Sequence, residues 1–110
     1  TPEYSLLTTG DAEPDVQALI PVGKVDYLKV AHHGSKYQDP KFNQDANPDL
    51  AFISVGKGNK YGHPADSTVR LFRHVLRTDE DGAIAIDPIK RSVSSSKVGV
   101  FNLPVLWRIT

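Results

Sequence analysis

Short apolar runs alternate along this chain with amphipathic segments, a pattern that predicts strands separated by helices. Such alternation is typical of a layered α/β fold, in which helices cover a β-sheet. A polar break is expected at Ser92–Ser96, before the end of the chain. Strands are predicted at Tyr4–Thr8, at Val25–Ala31, at Leu50–Val55, around Ile84 and Ile86 after the tight-turn sequence at 79–82, and in a last hairpin of Val98–Phe101 and Val105–Ile109.

Two helices are predicted from proline positions and apolar spacing. The first begins at Glu13-Pro14, since proline is tolerated at a first helical position, and it ends before Pro21. The second begins at about Asp66, capped by that aspartate or by the following serine. A loop or short helix around Pro40 lies between them. The apolar side of the second helix is predicted to contain Val69, Phe72, Val75 and Leu76.

Polar residues come after each of the first three predicted strands. Asp11 follows the first strand, residues 32–35 (His-His-Gly-Ser) follow the second, and residues 59–64 (Asn-Lys-Tyr-Gly-His-Pro) lie in the loop after the third. In layered α/β domains, ligands usually bind at this end of the strands. The sequence therefore predicts a site at one edge of the sheet.

Asp11 has two interpretations. A carboxylate held just beyond a strand by flexible Gly10 is well placed to bind or bridge a metal ion. The same Thr-Gly-Asp sequence also predicts a simple turn, in which Asp11 caps the helix that follows. Taken alone, these three residues favour the turn.

The histidine pair is more specific. Adjacent residues at a strand end point in different directions, so one histidine can bind a metal ion while the other orients a substrate or a bound water. Gly34 lets the backbone approach a ligand, and Ser35 offers a hydroxyl and an amide to an anion. The alternative is a loop with two exposed histidines, and the flanking strand favours the site.

The third loop adds His63 to the predicted site. Four lysines, at positions 36, 41, 57 and 60, fall in the two loops and would form a cationic rim suited to phosphate. Ordinary solvated loop lysines would have the same sequence. His74 falls on or near the charged side of the second predicted helix and is expected to be a surface residue.

Composition narrows these possibilities. The 13 basic and 13 acidic residues cancel, so any contact with nucleic acid must rely on local charge. Cysteine is absent, so a transition metal must be held by His, Asp or Glu, which suits zinc or manganese. The 110 residues fit a single domain, 1–110, without an apolar run that could span a membrane. The sequence lacks a P-loop, a serine-hydrolase elbow and an aromatic RNA-stacking pattern.

Taken in order, these motifs resemble the C-terminal metallo-β-lactamase-type domain of the ComEC family, bacterial membrane proteins of DNA uptake in natural competence. The resemblance covers about residues 4–86, and the tail 87–110 lies outside it. It implies half of an αββα metallo-β-lactamase sandwich, with a mixed β-sheet and covering helices. The matching segments are Leu6–Asp11 (LLTTGD), Leu28–Ser35 (LKVAHHGS), Ile53–Gly56 (ISVG) with Asn59–Pro64 (NKYGHP), and Arg77–Ile84 (RTDEDGAI).

The resemblance also implies a mechanism and roles. Two divalent metal ions, zinc or manganese, would assist hydrolysis of a phosphodiester bond in DNA. Asp11 matches the aspartate that bridges the two metals, and either His32 or His33 matches a late histidine ligand. The predicted catalytic residues are thus Asp11, His33 and His63, the predicted metal ligands are Asp11, His32 and His33, and the predicted phosphate-binding residues are Ser35, Lys36, Asn59 and His63.

One departure from the family limits these expectations. The main ligand motif, HxHxDH or HxDxDH, precedes the Thr-Gly-Asp segment in the family and does not occur in this sequence. The chain is therefore expected to be the second half of its domain, with the first half and DNA as partners. Asp11 and one histidine are too few ligands for a tight site. The chain alone is expected to bind metal weakly and to be inactive.

The same resemblance implies a location. The domain would be a soluble part of a bacterial inner-membrane protein and would reach the membrane only through other parts of its parent. Either side of the membrane is compatible with the sequence, and the extracytoplasmic side is favoured.

Two other functions fit the same residues. One is a soluble phosphoesterase of the same fold, such as a choline-phosphate esterase, because the motifs do not separate it from a nuclease. The other is a non-catalytic binding domain that has kept the motifs as relics.

Half of a sandwich would leave one sheet face without its partner sheet. We therefore expect the chain either to self-associate through that face or to cover the face with its tail.

Overall fold

A computed structural model describes residues 4–87, 92–97 and 99–102, so the strand expected at Val105–Ile109 lies outside the described residues. The helices in these ranges are all too short or too polar to span a lipid bilayer. The elements are β1 Leu6–Thr8, α1 Pro14–Gln17, β2 Tyr27–Lys29, a 3₁₀ helix at Ala31–Gly34, α2 Pro40–Ala46, β3 Leu50–Ile53, α3 Asp66–Val69, β4 Val75–Arg77, α4 Thr78–Asp81, β5 Ile84–Asp87, β6 Ser92–Ser95 and β7 Gly99–Asn102.

The first four strands form a parallel sheet in the order β1-β2-β3-β4. Leu7 pairs with Leu28, which in turn pairs with Ala51, and Ala51 pairs with Val75. Parallel neighbours require a crossover, and a helix lies between each successive pair of these strands. The predicted α/β class is confirmed, and the carboxyl ends of all four strands meet at one edge.

One face of the parallel sheet packs against helices. Leu28 and Val30 point to this face, and they form a buried cluster with Ala51, Ile53, Ala46 of α2 and Phe72, which follows α3. On the opposite face of the same strands, Tyr27, Leu50 and Phe52 are also largely apolar, and Lys29 is the charged exception. Strands buried on both faces have near-continuous apolar sequences, which is why β2 and β3 were recognisable as strands.

The opposite face packs against a second sheet. Strands β5, β6 and β7 are antiparallel, so the chain forms two uniform sheets where one mixed sheet was expected. Val93 of β6 is buried with Tyr27, Leu50 and Leu76. The described part of the tail therefore covers this face over β2 to β4. This agrees with the expectation that the tail, and not self-association, covers the face. Leu6 on the edge strand β1 points to the same face and stays 53% exposed.

The second predicted helix is wrong beyond its first turn. Helix α3 ends at Val69, and Val75 and Leu76 form strand β4. Val75 packs against the helix-side cluster, whereas Leu76 is buried with Val93 on the other face. Neighbouring side chains on opposite faces require a strand, and the apolar spacing alone could not separate it from a helix. His74 accordingly precedes a strand and is not helical.

Three smaller predictions also need correction. The cap of α3 is Ala65, without a capping side chain, and not Asp66 or the following serine. The acidic turn at 79–82 lies largely within the helical turn α4. The polar break at Ser92–Ser96 is instead largely strand β6, because β5 and β7 supply hydrogen bonds to residues 92–95 and the parallel sheet buries Val93. The predicted start of α1 at Pro14 is confirmed.

Val93 joins the two sheets, so truncating it tests their packing. We expect Val93→Ala to lower the free energy of unfolding by about 2 kcal/mol, from lost apolar burial and a residual cavity. Urea unfolding measures this change. Val93→Asp should also uncover the face and cause self-association, measured by sedimentation. The control is Val16→Ala at a position 46% exposed, and equal stability of the two alanine variants would contradict the packing.

Candidate functional site

The first two motifs are joined by hydrogen bonds at the carboxyl edge of the parallel sheet. The His32 backbone N–H donates to the Gly10 carbonyl at 2.8 Å. The Thr9 hydroxyl donates to the Lys29 carbonyl at 2.7 Å. Residues 9–12 form a turn closed by the Ala12 N–H on the Thr9 carbonyl at 3.1 Å. The turn predicted for Thr-Gly-Asp is present and is anchored to the histidine segment. Asp11 does not cap α1, however, because the cap residue is Glu13 and no side chain caps this helix.

The second and third motifs are joined in the same way. The Ala65 N–H donates to the Gly34 carbonyl at 2.9 Å. The Thr68 hydroxyl donates to the Ser35 carbonyl at 2.6 Å, and this bond is buried. The predicted convergence of the three motifs at one edge is therefore present in the structure.

The histidine segment has an unusual backbone. His32, His33 and Gly34 have φ angles of 53°, 54° and 76°, so three consecutive residues are left-handed. For each of the two histidines this conformation costs about 1–2 kcal/mol. Such strain persists only where surrounding contacts fix it, and it concentrates at functional sites. The hydrogen bonds to the neighbouring motifs supply those contacts here.

The two imidazoles point in different directions, as expected. His32 Nδ1 lies 3.3 Å from Glu13 Oε1, on the side of β1. The His32 ring also meets the His63 ring edge to face, with centroids 6.0 Å apart. His33 turns to β3 instead, where its Nδ1 lies 2.6 Å from the Ser54 carbonyl oxygen.

The Ser54 contact fixes which tautomer the neutral His33 ring adopts. A carbonyl oxygen can only accept, so the Nδ1 of His33 carries the proton in this hydrogen bond. The lone pair of neutral His33 is then on Nε2, and the residue is exposed. Histidines that bind metal typically hold their other N–H on a carbonyl or carboxylate in this way.

Glu13 is a residue of this edge that sequence analysis did not include. Its carboxylate is within ion-pair distance of His32 Nδ1, but the buried Nδ1 atom forms no hydrogen bond with the described residues. Glu13 is the residue that precedes α1, two positions after Asp11. Its position next to the Thr-Gly-Asp turn was the available signal, because the turn brings both carboxylates to the same edge.

A metal site is not complete in this part of the chain. Asp11 is exposed, and its side chain has no hydrogen bond or ion pair within the described residues. In the same residues, no group of three His, Asp or Glu side chains could hold a metal ion. A tight site needs at least three protein ligands. The described residues alone therefore do not complete a metal site.

The loop that carries His63 is closed by Asn59. The Asn59 amide accepts from the His63 N–H at 3.0 Å and donates to the His63 carbonyl. It also accepts from the Tyr61 N–H at 3.2 Å. The His63–Pro64 peptide bond is cis. Both polar atoms of Asn59 are thus engaged by the loop backbone, and its predicted phosphate contact stays a prediction.

Ser35 and Lys36 differ in accessibility. Ser35 is buried, and its hydroxyl accepts from the Tyr37 N–H at 3.2 Å. Lys36 is exposed, with its Nζ 5.1 Å from the centre of the Tyr37 ring. Lys41, expected in the same loop, instead lies in α2 and pairs with Asp45 at 2.6 Å. The cationic rim is therefore smaller than the sequence suggested.

The segment Arg77–Ile84, the last of the matching segments, holds the ends of β3 and β4 together by hydrogen bonds. The Thr78 hydroxyl donates to the Val55 carbonyl and accepts from the Val55 N–H, both at 2.8 Å. The Arg77 guanidinium forms two hydrogen bonds to Asp79, at 2.8 and 2.7 Å. These bonds hold the pKa of the Asp79 carboxyl below its usual value.

Comparison with known proteins identifies two relatives. ComE operon protein 3 of Bacillus subtilis is 44% identical over 89 residues, which cover 73% of this chain and 12% of that protein. Recombination protein 2 of Haemophilus influenzae is 39% identical over 84 residues, covering 74% of this chain and 11% of that protein. No protein-family model and no solved structure matches the chain. The chain is thus related to a short segment of both proteins, which supports the ComEC relationship.

Substitution of Gly34 tests the close contact between the second and third motifs. An alanine Cβ there would lie 2.7 Å from Pro64 Cβ and 3.2 Å from Ile53 Cδ1, at a positive φ. We expect Gly34→Ala to lower the free energy of unfolding by at least about 2 kcal/mol, measured by urea unfolding. Gly56→Ala is the matched control, because a Cβ at Gly56 would meet nothing within 4 Å. Equal stability of the two variants would exclude the contact.

The Arg77–Asp79 pair predicts a pH dependence of stability. The folded pKa of Asp79 is lowered, so its ionised form stabilises the fold fully above the unfolded pKa, near 3.8. This contribution is lost as pH falls from there through the lower folded pKa. Asp79→Asn should therefore be less stable than the wild type at neutral pH, with the difference shrinking in acid. Thermal unfolding across this range measures it. Exposed Asp15→Asn should show no such convergence, and a constant deficit for Asp79→Asn would contradict the linkage.

Proposed function

We propose that this chain forms part of the hydrolase domain of a ComEC-like protein that takes up DNA in natural competence. The supporting observation is the convergence of three motifs, with His32, His33 and His63, at the carboxyl edge of a parallel sheet. The two relatives support the competence role. Because the chain matches 12% and 11% of their lengths, the activity of the whole protein belongs to the proposal.

The proposed reaction is hydrolysis of a phosphodiester bond in DNA, assisted by zinc or manganese. Metal ions in the complete site would supply an activated water and neutralise charge on the phosphate. The chain contributes imidazole and carboxylate groups at one sheet edge, together with Lys36, Lys57 and Lys60. Among the described residues, none of these lysines has a carboxylate partner. Local positive charge thus remains available for a phosphate although the whole chain is neutral.

Individual roles follow from what each side chain already contacts. Asp11 is proposed as a metal ligand because it is exposed and uncommitted within the described residues. His33 is proposed as a ligand or catalytic residue through Nε2, because Ser54 holds its Nδ1–H. His32, between Glu13 and His63, is the alternative ligand.

The predicted phosphate-binding residues divide into two kinds. Ser35 and Asn59 contact the backbone of their own loops, so we propose that they hold those loops in position. Lys36 and His63 are presented by the loops and are proposed to contact the phosphate. The remaining metal ligands would come from other parts of the parent protein, and we propose that the domain lies on the extracytoplasmic side of the membrane.

A chimera tests this function. In it, the chain replaces the matched segment of ComE operon protein 3, and the detergent-solubilised protein is assayed for DNA hydrolysis with manganese or zinc. We expect turnover that falls at least about 100-fold in Asp11→Asn and in His33→Ala. Replacing a residue that only hydrogen-bonds to a metal ligand typically lowers activity about 10–100-fold, and replacing the ligand itself should lower it more. Asp15→Asn, an exposed carboxylate on α1, is the matched control for Asp11→Asn.

The outcomes of this assay separate the alternatives. The 110-residue chain alone should show no turnover, since its described ligands are too few. A chimera that is folded and metal-loaded but inactive would contradict the hydrolase proposal and favour a binding domain. Hydrolysis of choline phosphate esters without hydrolysis of DNA would favour the phosphoesterase.

A further inference from the structure

Two exposed tyrosines border one small pocket beside the histidine edge. Tyr37 is 59% exposed and Tyr61 is 83% exposed, although both are large side chains with apolar rings. They come from different loops, 24 positions apart in sequence, and the joined second and third motifs bring them together. The pocket is lined by Ser35, Lys36, Tyr37, Tyr61, Gly62, His63 and Ala65.

The size of the pocket limits what it can hold. Its volume is about 140 Å³, well below the roughly 300–1,000 Å³ of sites that enclose a drug-sized ligand. A whole nucleotide therefore does not fit inside, whereas a single phosphate or sugar group does. Larger parts of the same ligand would have to lie outside the pocket, against the two tyrosine rings.

The charge of the pocket favours an anion. Its lining contains Lys36 and His63 and no carboxylate. Within the described residues, Lys36 has no ion pair, and its ammonium lies over the Tyr37 ring at 5.1 Å from the centre. A cation held on an aromatic face in this way can still donate hydrogen bonds to a phosphate.

Both tyrosine rings are accessible to a ligand. Lys36 lies over the Tyr37 ring, and Tyr37 as a whole remains 59% exposed. The Tyr61 ring is inclined by 33° to the His63 ring, at a centroid distance of 5.8 Å, and it is otherwise surrounded by solvent. Nucleic-acid bases stack on exposed aromatic faces of this kind. They can do so only in a single strand, because the bases of a duplex are already stacked on one another.

We propose that this pocket is a single-strand nucleic-acid subsite, in which Lys36 binds a backbone phosphate and unstacked bases lie on Tyr37 and Tyr61. The proposal deepens the proposed function, on which it rests for the nature of the substrate. It adds that the strand reaches the histidine edge in single-stranded form. A row of rings, from Tyr61 through His63 to His32, connects the pocket with that edge at centroid distances of 5.8 and 6.0 Å.

The test is binding of short fluorescent oligonucleotides to the 110-residue chain, measured by anisotropy at low salt. Three probes of equal length are used: an oligothymidylate, an abasic strand with the same phosphates, and a duplex. We expect Tyr37→Ala and Tyr61→Ala each to weaken oligothymidylate binding by about 5- to 150-fold, the range for loss of one stacked base. Tyr37→Phe and Tyr61→Phe should bind like the wild type.

The abasic strand separates stacking from charge. Its affinity should be weaker than that of oligothymidylate and unchanged by either alanine substitution, whereas Lys36→Ala should weaken both single strands and reduce the salt dependence of binding. Tyr4→Ala is the matched control, because Tyr4 is also exposed, at 43%, and lies beyond this pocket. Unchanged thermal unfolding midpoints show that the variants remain folded.

Several results would overturn the proposal. The first is an oligothymidylate affinity that neither tyrosine substitution changes. The second is binding of the duplex that is as tight as binding of the single strand and is weakened as much by the tyrosine substitutions. The third is the absence of oligothymidylate binding by the wild-type chain. These outcomes are independent of the chimera assay. Hydrolysis by the chimera without a tyrosine effect would retain the function and remove the subsite, whereas tyrosine-dependent binding without hydrolysis would retain the subsite alone.

Discussion

The parallel pairing of β2 between β1 and β3 is the constraint on which the rest of this structure depends. It aligns Leu7, Leu28 and Ala51 in one row, so the chain leaves all three strands at the same edge. A shift of β2 by one residue would move Leu28 and Val30 from the helix-covered face to the other face. The same shift would turn the histidine pair away from Gly10 and Ser54. Core packing and site geometry are therefore set by one register.

Local patterns in the sequence were sufficient to predict those elements that consist of an apolar run followed by polar residues. Strands β1 to β3, β5 and the first residue of α1 follow from them, as does the position of the motifs at one edge. Strand β4 could not be predicted, because Val75 and Leu76 pack on opposite faces that exist only after folding. The same holds for β6, whose serines gain hydrogen-bond partners from β5 and β7, and for the pocket between Tyr37 and Tyr61.

Polar residues at this edge fall into two groups with different tasks. Thr9, Ser35, Asn59 and Thr78 direct their side-chain hydrogen bonds to backbone groups, which fixes loops that would otherwise be mobile. Asp11, His33 and Lys36 remain exposed, and His33 has both tasks, because its Nδ1 contacts the Ser54 carbonyl while its Nε2 is left for a ligand. In sequence the two groups are indistinguishable, since both consist of polar residues after strands. Only the observed contacts separate the residues that build the edge from those that can meet a ligand.

The three left-handed residues at 32–34 place the chemistry of this edge in conflict with the stability of the chain. Glycine at position 32 or 33 would remove a conformational cost of about 1–2 kcal/mol, partly offset by greater freedom of the unfolded chain. It would also remove an imidazole. Selection for heat resistance alone would therefore favour a loop without its histidines, so their presence in a strained conformation is itself a sign of selection for something other than folding.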